Sequence, residues 1–456
     1  MLNERLFNVV DFGAVSDGAT IVTKAVQKAI DTANEEGGGT VVFPEGEYVL
    51  FTVFLKSNVK IEITKGAKIL GAPSFYDYAP EEKIDYPIYQ DSSHTYFDCS
   101  MFVGRDCENI AICGEGDIDM RSVWDEDNVR NIVHRGPKCI ALRNCRNVII
   151  TGLGIYNVTD LAVYFAGCEN VEIGRLRMRV YIDAISPDNS KRVYIHDNDI
   201  ECGDDGIVFK SSYTLNKIDI CEDITVRNCR VKSRCSAVKF GTETNGGFHN
   251  ILIENIEIYE TRITAIAIES VDGAIIDGVT IKNVRIRNAG APLFIHIGKR
   301  MRGPEGREIG QIKNIHLENI VAEGPYEIFD IIEWNYASFS HHDTKQYPWV
   351  MKVNLHEWVE PFTPNVCGLK NRPLENITLK NVRFVLQGGV QEYSKEVPDD
   401  SEDYPEVMIY GRTLPAKGIY FRHINGLTLD NVTVETYKDD RREDFVFEDV
   451  SNLTIK

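Results

Sequence analysis

No stretch of this chain approaches the roughly 18 consecutive apolar residues that a membrane-crossing helix needs. A basic excess is missing too: Lys and Arg number 50 against 69 Asp and Glu, a formal charge of -19. Such a surface repels nucleic acid and anionic membranes, which are held through clustered cations. It offers no general attraction for a polyanion either, so an acidic saccharide would need a local basic pocket. The start, MLNERLFNVV, lacks a basic segment followed by a long apolar one, the mark of a secretory signal. None of the 11 cysteines forms a C-x-x-C pair, and their spacing suits neither a zinc site nor a small disulfide scaffold. They read as buried, reduced packing residues, which favours the cytoplasm, or an extracellular or periplasmic site if a leader has been removed. Asn-Gly hairpin signals are scarce, and no helical pattern separates the apolar runs beyond residue 57.

What is present is a repeat. A small polar residue, usually Asn, precedes a short alternating run: Asn109, Asn147, Asn170, Arg192, Asp223, Asn250, Gly278, Asn314, Asn376, Gly426 and Asn452. From Asn147 to Gly278 the intervals are 23, 22, 31, 27 and 28 residues. Short β-runs at this period, without helices between them, predict an all-β chain folded as a right-handed parallel β-helix. Stacked Asn residues at equivalent corners would form hydrogen-bonded ladders. A β-propeller or sandwich is the competing architecture, and it would need more hairpin turns. Residues 1–456 are expected to form one domain. Residues 57–72 alternate, with Val59, Ile61 and Ile63 on one face and Lys60, Glu62 and Thr64 on the other.

Residues 1–45 read as a short strand and a helix. Val22, Val26, Ala29, Ile30 and Ala33 recur at helical spacing over 21–36, and Gly37, Gly38 and Gly39 stop the helix. Such a helix would cap the open end of the solenoid, which otherwise exposes core and strand edges. Longer intervals at 73–98, 325–372 and 386–417 are rich in aromatics and charge. In a solenoid these become loops on one side, often the binding side.

Within the repeat, Asp204 and Asp205 occupy a Gly-Asp-Asp-Gly turn, and Asp183 lies one repeat earlier. Neighbouring strand residues point to opposite faces, so both aspartates face one site only if the backbone bends, which Gly203 and Gly206 would permit. Clustered carboxyls separate in pKa, leaving one to donate a proton and another to accept one. Glycoside hydrolysis with inversion needs that division of labour.

The chain also resembles glycoside hydrolase family 28, the polygalacturonases and rhamnogalacturonan hydrolases. The likeness runs through FNVVDFGAVSDG, GGGTVVFPEGEY, LKSNVKIEITKGAKILGA, PDNSKRVYI, GDDGIVFKS and GTETNGGFHNI. The family signature is N-T-D, G-D-D, G-H-G and R-I-K. YIDAISPD aligns with the first motif and GDD matches the second. The resemblance implies a β-helix that inverts configuration without metal or other cofactor. It implies Asp204 as general acid, with Asp183 and Asp205 holding and deprotonating the water.

The last two motifs depart. RCSAVKFG puts Ser236 where the family has His. AIAIES puts Ala267 and Glu269 at the Arg and Lys that would bind a galacturonate carboxylate. Losing that clamp and gaining Glu269 disfavours a carboxylate there. Lys239, Glu243, Arg262 and Glu269 are candidates to replace the missing contacts, although each also suits an ordinary outward strand position. His296 and Lys299 with Arg300 are further substrate-binding candidates. Trp334, Tyr336 and Trp349 could stack on a sugar or pin an insertion. His341, His342 and Asp343 do not make a metal site, because adjacent histidines cannot easily share one ion.

The expected activity is hydrolysis of a pectin-type oligo- or polysaccharide, from a chain end if an insertion closes the cleft. The substrate is the one partner expected, with no nucleic acid or membrane; the sequence does not give an oligomeric state. Alternatives are a β-helix polysaccharide lyase, or a carbohydrate-binding solenoid without catalysis.

Overall fold

The computed structural model describes residues 5–125, 135–324, 326, 361–398 and 404–456. It is a right-handed parallel β-helix. Apart from one antiparallel bridge between Leu369 and Arg372, strand pairing among the described residues is parallel. This excludes the propeller and the sandwich, whose neighbouring strands run antiparallel.

Each coil contributes to three stacked series. One runs through Glu108–Gly114, Arg146–Thr151, Glu169–Gly174, Lys191–His196 and Ile220–Arg227. A second runs through Asp117–Asp119, Gly154–Tyr156, Arg177–Val180, Asp199–Cys202 and Arg230–Ser233. The third runs through Ser100–Arg105, Lys138–Arg143, Val163–Ala166, Ile185–Asp188, Ile207–Ser211 and Ser236–Thr244. The continuous strand Gly247–Ser270 then stacks on all three in turn. Inward Val and Ile residues from successive coils form the core, among them Val148, Val171, Val193, Ile224 and Ile251.

The repeated polar residue marks a corner. Asn109, Asn147, Asn170 and Asn250 have φ of 57°, 54°, 56° and 53°. L-residues rarely enter this left-handed region, and Asn tolerates it best after Gly. Their amides stack as expected: Asn147 donates to Asn109 at 2.9 Å and Asn170 donates to Asn147 at 2.9 Å. A second ladder sits five residues after the first. It links Asn255, Asn283, Asn319, Asn381 and Asn431 through bonds of 3.1, 2.9, 3.1 and 3.0 Å. Replacing Asn283 by Val removes two ladder bonds and forces a β-branched residue to φ 56°. We expect a loss of about 2–4 kcal/mol, read as a lower denaturation midpoint.

The N-terminal helix is Thr23–Glu35, with Val26, Ala29, Ile30 and Ala33 buried against the first coil. Its exit is tight. The Gly38 amide donates to the Ala33 carbonyl at 2.8 Å, and a Cβ on Gly38 would lie 2.6 Å from the Asn58 carbonyl oxygen.

Two insertions cover the outward face of the third series. From 73–98, Phe97 stacks on Tyr164 at 5.3 Å and packs with Ala141, Leu161, Ala166 and Ile182. From 386–417, Val407, Ile409, Tyr410 and Leu414 pack over Ala267, Ala291 and Phe294. Most of the 325–372 insertion, with Trp334, Tyr336, His341, His342, Asp343 and Trp349, lies outside the described residues.

Candidate active site

Between these two covers, the turn at 203–206 joins Asp199–Cys202 to Ile207–Ser211. The backbone bends at 203, 204 and 206 as expected, and it does so without a positive φ at either glycine. Gly206 is also needed for space. A Cβ there would lie 2.5 Å from Val231 Cγ1 and 2.6 Å from the Ala237 carbonyl oxygen.

The turn brings the three aspartates together. One carboxylate oxygen from each of Asp183, Asp204 and Asp205 lies within 4.8 Å of the others. Backbone amides orient two of them: Asp205 N donates to Asp183 Oδ1 at 3.2 Å, and Ser236 N donates to Asp205 Oδ1 at 3.0 Å. Asp183 and Asp205 are buried, whereas Asp204 is partly exposed. Burial, then Asp205 beside it, pushes the Asp204 carboxyl up to about 6, against the opposing pull of Arg135 and Lys239. Burial, followed by the Asp204 charge, holds Asp183 well above the usual carboxylate range. The triad therefore retains a proton at pH values where isolated carboxyls have lost theirs.

Oxygens this close could also bridge a cation. Lys210 Nζ stands 3.9 Å from Asp183 and Lys239 Nζ 3.7 Å from Asp205, so an ion there would meet two positive neighbours.

The two lysines are buried on the outward side of their strands. Lys239 Nζ lies 2.6 Å from Glu406 Oε1 and 3.8 Å from Glu269 Oε1. Although burial disfavours its charge, Asp205, Glu269 and Glu406 keep Lys239 protonated. Glu269 is raised well above the carboxylate range by burial, and neither of its buried oxygens finds a hydrogen bond among the described residues. Lys210 Nζ is 3.0 Å from Glu243 Oε2, and Arg302 reaches Glu243 Oε1 at 2.7 Å. Burial would raise Glu243, but Lys210, His94, Arg302 and Arg300 hold it well below its ordinary range.

The expected substrate contacts thus divide. Lys239, Glu243 and Glu269 join the charge network around the triad. His296 is one strand beyond Glu269, in register with it, and its Nδ1 is 3.3 Å from the Tyr410 hydroxyl. Arg262 is half-buried just before the strand segment that stacks on Ser236–Thr244. Lys299 is exposed, while its neighbour Arg300 turns onto Asp272 at 2.9 Å. Trp334 is outside the described residues.

Several residues were missed. Lys210 was legible, because alternation puts it on the same face as Val208. Glu406 and Tyr404 come from a remote insertion, and nothing in their local sequence links them to Lys239. Arg135 was equally hidden. Its guanidinium is 3.0 Å from Ser93 Oγ, 3.8 Å from Asp91 and 3.7 Å from Asp160, and it also acts electrostatically on Asp204 and Asp183.

Comparison with known proteins agrees with this architecture. The profile described as glycosyl hydrolases family 28 matches residues 52–340. A profile described as rhamnogalacturonase A/epimerase, pectate lyase-like, matches residues 6–86. A probable polygalacturonase of Vitis vinifera is 24% identical over 400 residues, covering 83% of this chain and 74% of the relative. An exo-poly-alpha-D-galacturonosidase of Dickeya chrysanthemi is 24% identical over 302 residues, covering 55% of this chain and 50% of that protein. Among solved structures, an exopolygalacturonase from Thermotoga maritima superposes with a TM-score of 0.67 at 19% identity, covering 95% of this chain and 93% of that one. The family 28 exopolygalacturonase of Yersinia enterocolitica gives 0.70 at 19% identity, covering 99% of this chain and 78% of that one. At these identities the two structures speak for the fold alone.

Proposed function

The chain belongs to glycosyl hydrolase family 28 and is a glycoside hydrolase of polygalacturonase type, and from that premise we propose that it trims short pectic oligosaccharides from one end with inversion. The observation that carries the chemistry is the convergence of three carboxyls within 4.8 Å, one of them raised to about 6. Asp204 is the general acid: it is the one partly exposed member of the triad and has the pKa suited to giving a proton to a leaving oxygen. Asp183 and Asp205 hold the water, since backbone amides orient both carboxylates.

Carboxyl separation taken alone would favour retention, which uses groups about 5–5.5 Å apart, against about 6.5–9.5 Å for inversion. Three carboxyls alter that reasoning. Two can bind one water between them while the third faces the leaving group, so no single pair has to span the water and the bond.

End-directed action is supported by the two covers. The 73–98 cover packs through Phe97 on Tyr164 and the 386–417 cover reaches Lys239 through Glu406 and Thr242 through Tyr404, so the strands beside the triad are enclosed from both flanks. A long polymer would need a groove open at both sides. At the Glu269 subsite the sugar is one without a carboxylate, because a third buried carboxyl would join Glu269 and Glu406 beside Lys239. Eleven free thiols, nine of them buried, support action in a reducing compartment on imported fragments.

The test is a panel of homogalacturonan and rhamnogalacturonan fragments of defined length, with products sized over time. Release of one small product from fragments of every length supports the proposal. A spread of intermediate sizes from the first minutes contradicts end-directed action.

A further inference from the structure

His94 belongs to the insertion at 73–98 and is only 3% exposed. Its backbone is pinned. The carbonyl accepts from the Tyr164 hydroxyl at 2.8 Å and from the Thr214 hydroxyl. Its ring stands edge-on to Tyr164 at 5.6 Å. Neither ring nitrogen has a hydrogen-bond partner among the described residues. Orphaned buried polar atoms are uncommon and destabilising, and functional sites are where they are tolerated.

The surroundings show where the ring lies. The charges that act on it belong to Lys210, Glu243, Asp91 and Arg135. Lys210 is the neighbour of Asp183, and Arg135 acts on Asp183 and Asp204. Geometry agrees: the Tyr164 hydroxyl that holds the His94 carbonyl also reaches Asp188 at 3.1 Å, and Asp188 pairs in register with Lys210, so the cover sets His94 beside the strands that carry the triad's neighbours. Burial, then Lys210, pushes its pKa down to about 3, so the ring is neutral in ordinary buffers. A neutral imidazole has one donor and one acceptor nitrogen. Sugar hydroxyls can satisfy both, whereas a carboxylate can satisfy only the donor.

We infer that His94 is a substrate-binding residue that holds hydroxyl groups of the sugar lodged against the 73–98 cover. This rests on the proposed function for the identity of the ligand as a pectic sugar. It assigns the cover a recognition role as well as a closing one, and Tyr164 and Thr214 the role of positioning residues for the His94 backbone.

The test compares His94→Ala and His94→Gln with the parent on pectic di- and trisaccharides. Gln retains a donor and an acceptor. His94→Ala should raise KM about tenfold or more while kcat stays within about threefold, and His94→Gln should recover part of that loss. An unchanged KM for His94→Ala would overturn the inference. So would equal falls in kcat and Tm for both variants, the signature of a merely structural residue. If the parent cleaves no pectic fragment, the functional reading fails separately. Saturation-transfer NMR with galacturonate, galactose and rhamnose then decides: a signal lost in His94→Ala supports the inference, and an unaltered or absent signal overturns it.

Discussion

Asp204→Asn is expected to lower kcat by about 10²–10⁴-fold with the fold intact. The amide keeps the size and hydrogen bonding of the acid but has no proton to transfer. Its partial exposure singles out this position from its two buried neighbours, and its elevation to about 6 suits it to proton donation. The pH profile carries a matching signature. A general acid must be protonated, so activity is lost as pH rises through about 6, giving kcat/KM an alkaline limb near that value. Stability moves the same way. The raised carboxyl holds its proton more tightly in the folded state than in the unfolded chain. Its cost to stability is absent below the ordinary carboxylate range and complete above about 6. The Asn variant should thus match the parent in stability near pH 3, gain on it progressively from there to about pH 6, and keep that full advantage at pH 8. Near-normal turnover in this variant would remove Asp204 from the acid role.

Lys239→Met carries the second large effect. The lysine is 2% exposed and stands among Asp205, Glu269 and Glu406. Removing one partner of a buried charge group leaves the others uncompensated, at about 3–5 kcal/mol. Denaturant titration at pH 7 should show that deficit. At pH 5 it should shrink, because carboxyls freed of the lysine take up protons more readily. Since Lys239 also pulls the Asp204 pKa down, the alkaline limb should move to higher pH. A deficit independent of pH would mean that Lys239 acts through packing alone.

Much of the fold was legible because a solenoid repeats its instructions. Corner residues such as Asn147 and Asn170 recur at the period of one coil, and each signals the same left-handed turn. The inward alternation of Val59, Ile61 and Ile63 was plain for the same reason: one face of a coil is always core. Asp183, Asp204 and Asp205 could be brought together from spacing, since the coil converts a sequence interval into stacking. What remained hidden came from outside the repeat. Glu406 reaches Lys239 across 167 residues, and Arg135 and His94 approach the triad from segments without periodicity. No local pattern encodes where such a segment lands. A second need for Gly206, beyond the bend, was hidden for a related reason. That need is the closeness of Ala237 on the next coil, and a sequence does not display a clearance.

The central claim is that three aspartates hydrolyse a glycosidic bond by single displacement. Proton NMR of the first minutes of cleavage, on a pectic oligosaccharide of defined linkage, tests it most directly. The new reducing end should appear first as the anomer opposite to that of the broken bond, and equilibrate later. Initial release of the same anomer, or of an unsaturated sugar absorbing in the ultraviolet, would contradict it.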